Sequence, residues 1–208
     1  MIPLDIFADP VCPWCLIGKL ELDRALESRP LHPFQITWHP FRLNPQMPKG
    51  GMDRIEYLRA KLGPRAEDAS RAVAERAAGL GLDLNPSPRE PDTTDAHRLM
   101  HWAGLEGAQT RVMSGLLRAH WQEARDIGDA AELARIAAAA GMDADLVTRL
   151  LASDADRAEV AAREGHARER GISSVPTFIV ANQHAISGAQ PAALWQQVID
   201  ELAESTLK

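Results

Sequence analysis

The sequence predicts an α/β protein in which a β-α-β unit and a later α-β-β-α unit are separated by a large all-helical block. Three observations predict it. Residues 2–8 and 34–41 read as strands on either side of a helix with an apolar face. At residues 44–52 the chain becomes dense in Pro, Gly and Asn, and beyond that point the periodicity is helical as far as Gly171. Strand character then returns at residues 176–187 and gives way to a last amphipathic helix.

Each element has a local reason. Residues 2–8 alternate and end in Asp9-Pro10, the mark of a short buried strand followed by a turn. From Pro13, whose missing N–H costs little in a first helical turn, Leu16, Ile17, Leu20, Leu22 and Leu26 supply one apolar face up to Pro30. Residues 34–41 are rich in β-branched and aromatic side chains and form the second strand. Asp53 caps a helix closed by Gly63-Pro64, and a second helix runs over 65–78. The proline-rich stretch 82–92 is an extended connection. Thr93 or Thr94 caps the next helix, through Leu99, Met100 and Trp102, and another carries Val112, Leu116, Leu117 and Trp121. Asp129 and Glu132 form a capping-box-like start to an alanine-rich helix, and Asp143 and Ser153 begin two more. Near the C-terminus, Asn182-Gln183 is the turn of a hairpin, and Pro191 opens a helix with Leu194, Trp195, Val198, Ile199 and Leu202 on one face.

Composition narrows the function. The 208 residues are 45% hydrophobic and 25% charged, which excludes wholesale disorder and fibrous repeats. Lys and Arg total 23 against 29 Asp and Glu, a net charge of −6. The basic residues are scattered among acids, so nucleic acid is not expected as a partner. No apolar run approaches the ~20 residues that span a bilayer, and no membrane association is expected. The N-terminus lacks the basic and apolar regions of a secretory signal, which points to the cytoplasm.

The two cysteines, Cys12 and Cys15, enclose only Pro13-Trp14. A disulfide closing so short a loop removes little chain entropy, and a structural zinc site would need two further ligands. The pair therefore reads as reactive. A cysteine placed between a strand and a helix meets the unpaired N–H groups and the positive end of the macrodipole, which favour a thiolate. Cys12 is expected to be the accessible, attacking sulfur. Cys15, one turn on, is expected to stay protonated and to resolve the mixed disulfide.

The segment Asp9-Pro10-Val11-Cys12-Pro13-Trp14-Cys15-Leu16-Ile17-Gly18 resembles the active-site segment of the DsbA-like branch of the thioredoxin superfamily, and is most similar to its FrnE-type dithiol-disulfide isomerases. Residues 171–178, Gly-Ile-Ser-Ser-Val-Pro-Thr-Phe, resemble the loop in which a cis-proline faces the dithiol. Residues 186–191, Ile-Ser-Gly-Ala-Gln-Pro, are similar to the subfamily's C-terminal turn. The resemblance implies a thioredoxin fold formed by residues 1–48 and 167–208, with residues 49–166 as an inserted helical domain. It implies Cys12 and Cys15 as the catalytic pair, Pro176 as the cis-proline and Val175 as a backbone edge for substrate. Pro13-Trp14 departs from the Pro-His dipeptide of the strongly oxidising DsbA enzymes, which argues against an extreme potential.

Other candidates are weaker. Trp14, between the cysteines, is expected to be exposed and to touch substrate. His39 and Arg42, at the end of the second strand, and His97, in a segment that resembles a cleft-facing motif, are candidate substrate contacts; Arg98 beside it is a further one. His97 and His101 have a metal-compatible spacing, yet no third ligand is evident, so no metal is expected. Trp38, Trp102, Trp121 and Trp195 read as packing residues. The expected partners are protein or small-molecule thiols and disulfides, acting on a monomer or homodimer. No bound cofactor is expected, and glutathione is a candidate co-substrate. Two rival readings remain. One is a glutathione-dependent isomerase or transferase of the 2-hydroxychromene-2-carboxylate isomerase or kappa class, in which serine stands in place of Cys12. The other is a chaperone-like binder.

Overall fold

The computed structural model describes residues 1–206. Its main sheet has four strands, β1 (Ile2–Ala8), β2 (Phe34–Pro40), β5 (Thr177–Val180) and β6 (His184–Ser187), in the order β2-β1-β5-β6. β1 and β2 are parallel, joined by the crossover helix α1 (Pro13–Ser28); β5 runs antiparallel to β1, and β6 to β5. This is the thioredoxin arrangement. It carries the C-terminal end of β1 and the N-terminal end of β5 to the same edge, since Phe7 pairs with Thr177. Residues far apart in the chain are thereby neighbours there.

Alternation along the strands sorts side chains to two faces. Leu4 and Ile6 of β1 pair with Val180 and Phe178 of β5, and all four are buried. Phe178 meets Trp195 of α9 (Ala192–Thr206) edge to face at 4.7 Å. α1 and α9 therefore cover this face. The other face, with Asp5, Phe7, His39 and Ile179, is turned to α8 (Arg157–Glu169).

Between the halves lie β3 (Met52–Asp53), α2 (Arg54–Leu62), a short 3-10 turn, α3 (Ala66–Ala78), β4 (Arg89–Glu90), α4 (Thr94–Leu105), α5 (Gln109–Trp121), α6 (Ala130–Ala139) and α7 (Ala144–Leu151). α4, α5 and α8 pack against β2, and buried residues of the helices, such as Leu99, Leu116 and Leu133, join one hydrophobic cluster with Leu4, Ile6 and Phe178. The helical block and the sheet share a core. The boundary expected at 166/167 falls inside α8, which is one continuous helix.

Several boundaries differ from the sequence expectation, each for a local reason. The β3–β4 ladder joins Met52–Asp53 to Arg89–Glu90, strands too short to leave a period. Asp53 caps α2 as expected, accepting from the Ile55 and Glu56 amides at 2.9 and 3.0 Å. At α4 the capping oxygen belongs to Asp92, which takes the Thr94 amide at 3.0 Å, and Thr93 forms no side-chain cap. Asp129 accepts from Ala131, but Glu132 turns to Arg125 and Arg135, so the capping box is only half formed. The hairpin turn is centred one residue earlier than expected, with Ala181 and Asn182 both at positive φ and Gln183 donating to Val180.

Arg98 explains why α8 begins at Arg157 and not at Ser153. Its guanidinium is fully buried and donates to the carbonyls of Leu150, Ser153 and Ala155 and to Asp95. Carbonyls turned onto Arg98 cannot serve a helix through 153–156. The expected cleft-facing role of Arg98 is corrected by this geometry: the side chain is a buried clamp on the α7–α8 connection. Arg98→Met is expected to leave the Ser153 and Ala155 carbonyls without that donor and Asp95 with Arg157 alone, lowering unfolding free energy by about 3–5 kcal/mol in chemical denaturation.

Candidate active site

The turn between β1 and α1 is fixed from two sides. The Asp9 carbonyl accepts from the Cys12 amide at 2.9 Å, and the Pro10 carbonyl accepts from the Trp121 indole N–H at 3.0 Å. Pro13 takes the first helical position and leaves Cys12 just ahead of it in an extended conformation. The Cys12 carbonyl receives the Cys15 and Leu16 amides at 3.0 and 3.3 Å. The Cys12 thiol caps nothing in the helix; it donates instead to the Val175 carbonyl at 3.5 Å.

That carbonyl precedes Pro176, and the Val175–Pro176 bond is cis. Gly18, one turn after Cys15, lets the proline loop come close: a Cβ there would stand 3.1 Å from Pro176 Cγ and 3.4 Å from Phe178 Cζ. Both cysteines are free thiols. Cys12 is 3% exposed, which corrects the expectation of an accessible sulfur. The reason is its contact with Val175, a residue that is itself buried. An incoming sulfur must displace that contact to reach Cys12.

Burial pushes the Cys15 thiol well above its ordinary range; its hydrogen bond with Cys12 and the charge of Cys12 add to this. The Asp9 backbone amide works in the opposite sense, and the Asp9 carboxylate adds the smallest upward push. Cys15 is thus held as a thiol at neutral pH.

Asp9 is wholly buried, a feature the sequence reading did not single out. Its Oδ2 accepts from the Leu43 amide at 2.7 Å, while Oδ1 has no hydrogen-bond partner. His97 Nε2, from α4, lies 3.6 Å from Oδ1 and is likewise without a partner. A carboxylate is rarely buried unpaired, so an acid directly after an apolar strand and before Pro10 was the available signal. Close by, burial raises Glu90 to about 7; Arg54, at 2.7 Å, pulls it back down, and the Asp9 charge adds to the rise.

The remaining candidates are dispersed. Trp14 is 40% exposed. His97 is buried beside Asp9. Arg42 is held by Glu164 at 2.7 Å and by Thr94 at 2.8 Å. His39 pairs with Asp5 at 2.7 Å in a cavity whose lining contains neither cysteine. Trp38, Trp102, Trp121 and Trp195 are all buried. Among the described residues no group of three His, Cys, Asp or Glu is placed to hold a metal ion, and no helix is long and apolar enough to cross a membrane.

The arrangement joins a dithiol at a helix mouth to a proline-loop carbonyl and a buried acid, and known proteins share its framework. The uncharacterized protein YwbO of Bacillus subtilis (strain 168) is 25% identical over 210 residues, covering 96% of both chains. The crystal structure of a probable DsbA oxidoreductase, SCO1869 from Streptomyces coelicolor, superposes with a TM-score of 0.85 at 29% identity, over 97% of this chain and 89% of that one. The cytosolic disulfide reductase DsbM from Pseudomonas aeruginosa, solved with GSH, shares the fold at a TM-score of 0.69 and 16% identity, over 97% and 99% of the two chains. The model of the DSBA-like thioredoxin domain matches residues 3–200, and with both halves of the fold and the helices between them inside that match, the chain belongs to this family.

Proposed function

We propose that the protein is a thiol–disulfide oxidoreductase and isomerase of the FrnE type, working by exchange at Cys12. The observation that carries this reading is the placement of the Cys12 sulfur between the N-terminus of α1 and the Val175 carbonyl beside Pro176. There a thiolate has helix amides on one side and, on the other, a backbone edge for an extended substrate.

The Cys12 thiolate attacks one sulfur of a substrate disulfide, forming a mixed disulfide and expelling the other sulfur as thiolate. Cys15 then gives up its proton and attacks Cys12 Sγ. The Cys12–Cys15 disulfide forms, the second substrate sulfur leaves, and the substrate has gained the two electrons that the dithiol lost. The reverse sequence oxidises a dithiol substrate, and release by a different substrate cysteine isomerises one. Asp9, whose buried Oδ1 has no hydrogen-bond partner and whose charge acts on Cys15, takes the Cys15 proton. Trp14 supplies an exposed apolar contact for the substrate.

Both cysteines belong to the site and none remains for a structural disulfide, which suits a cytoplasmic protein whose pair is recycled by glutathione. Insulin reduction and refolding of scrambled ribonuclease, wild type against Cys12→Ser, test the reading. The variant is expected to fall to the uncatalysed rate in both assays with an unchanged circular dichroism spectrum. Full activity without the Cys12 sulfur would overturn it, and glutathione-dependent turnover of a small aromatic acid by the wild type, with no exchange activity, would replace it with the isomerase class.

A further inference from the structure

We propose that the protein carries a second ligand site, separate from the dithiol, that takes a small organic anion with an apolar body, of which an aromatic carboxylate is the simplest. Between α8 and the sheet lies a cavity of about 410 Å³. That is within the range small-molecule sites occupy, and fits a single ring with a polar head better than a peptide. Its floor is apolar, made by Phe7 of β1 and Ile179 of β5. The His39 ring stacks on Phe7 with centroids 4.8 Å apart and planes 21° from parallel. Asp5 holds His39 Nε2 at 2.7 Å, so the ring is fixed as a flat wall and the one acid in the lining is already engaged.

The opposite wall is cationic. Arg163 and His166 line the cavity from α8 and Arg170 from the residue that caps its C-terminus, a spacing of three and seven residues that places them on the same side. Glu159 engages Arg163 at 2.7 Å, and Glu169 stands 3.9 Å from His166. The Arg170 side chain has no ion-pair or hydrogen-bond partner among the described residues. Arg163 and His166 each have an acid beside them, so Arg170 is the cation of the lining whose charge is uncommitted. An unpaired guanidinium offers a carboxylate two parallel N–H donors, while the ring of the ligand would lie on Phe7 and Ile179. Cys12, Trp14, Cys15, Val175 and Pro176 are all outside the lining, so occupancy does not block the exchange site.

Calorimetric titration of the full chain with salicylate tests this, with benzyl alcohol and benzylamine as the neutral and cationic counterparts. Salicylate is expected to bind saturably and one to one, the neutral ring more weakly and the amine not at all. Arg170→Met, at an exposed position, is expected to weaken salicylate binding by roughly tenfold to a hundredfold without changing insulin reduction. Cys12→Ser is expected to bind salicylate as the wild type does, so failure of this site and failure of the exchange mechanism are separable. Absence of saturable binding, equal affinity of Arg170→Met and wild type, or loss of binding in Cys12→Ser would each overturn the proposal.

Discussion

Cys15→Ser, exposed to glutathione disulfide, is expected to accumulate one glutathione on Cys12 that the wild-type chain discharges. The two sulfurs are not equivalent. Cys12 lies outside the helix against the Val175 carbonyl, whereas Cys15 lies inside the first turn and is driven to its protonated form by burial and by Cys12. Attack therefore falls to Cys12 and release to Cys15, and removing the second sulfur leaves the first step without its successor. Intact-mass spectrometry should show an adduct on nearly every Cys15→Ser molecule and on few wild-type molecules. Cys12→Ser should show none, because its remaining thiol is buried and protonated. Equal adduct levels on both single variants would contradict the assignment of roles.

Asp9→Asn is expected to slow the resolving step by about a hundredfold while leaving formation of the mixed disulfide within a few-fold of wild type. Two effects oppose each other here. Removing the carboxylate removes a repulsion that holds Cys15 protonated, which would speed resolution. It also removes the acceptor for the Cys15 proton, which would slow it. The repulsion is the smallest of the influences on Cys15, and a positioned base is worth ~10²–10⁴ in rate, so loss of the base wins. Because the Cys15 thiol lies well above neutral, wild-type resolution should rise with pH through the neutral range, and that of Asp9→Asn should become steeper as hydroxide substitutes for the base. Stopped-flow measurement of discharge from the glutathione adduct across pH checks both. Unchanged discharge in Asp9→Asn would remove Asp9 from the mechanism.

Much of this was legible in the sequence because the signals are local. Alternation gave β1 and β2, the lone Cys-Pro-Trp-Cys gave the dithiol, and Pro10 and Pro13 bracketed the turn that sets Cys12 just ahead of α1. The Val175–Pro176 element was legible through its resemblance to a known loop, since nothing in 171–178 by itself says that it meets Cys12. What was not legible is what depends on contacts across the chain. Arg98 is indistinguishable in sequence from a surface arginine until three carbonyls of the α7–α8 connection close on it. The burial of Cys12 follows from a residue more than a hundred and sixty positions away. His39 sits on the sheet face turned to α8, and only the register of β1 with β2, Phe7 opposite His39, shows that it shares a cavity with α8. Asp9 was printed beside the motif, but its importance comes from an Oδ1 that the fold leaves without a partner.

The central claim is that Cys12 and Cys15 form one two-electron couple, and the most direct test is redox titration of the wild-type chain. The protein is equilibrated across a series of reduced-to-oxidised glutathione ratios, quenched with acid, and its free thiols counted by alkylation and mass. The account predicts a single transition between a dithiol carrying two labels and an internal disulfide carrying none, with one-label species confined to the narrow midpoint region, and it predicts that the transition is absent from both single-cysteine variants. A chain that keeps two alkylatable thiols at every ratio, or that stops at a stable glutathione adduct with Cys15 still free, would contradict it.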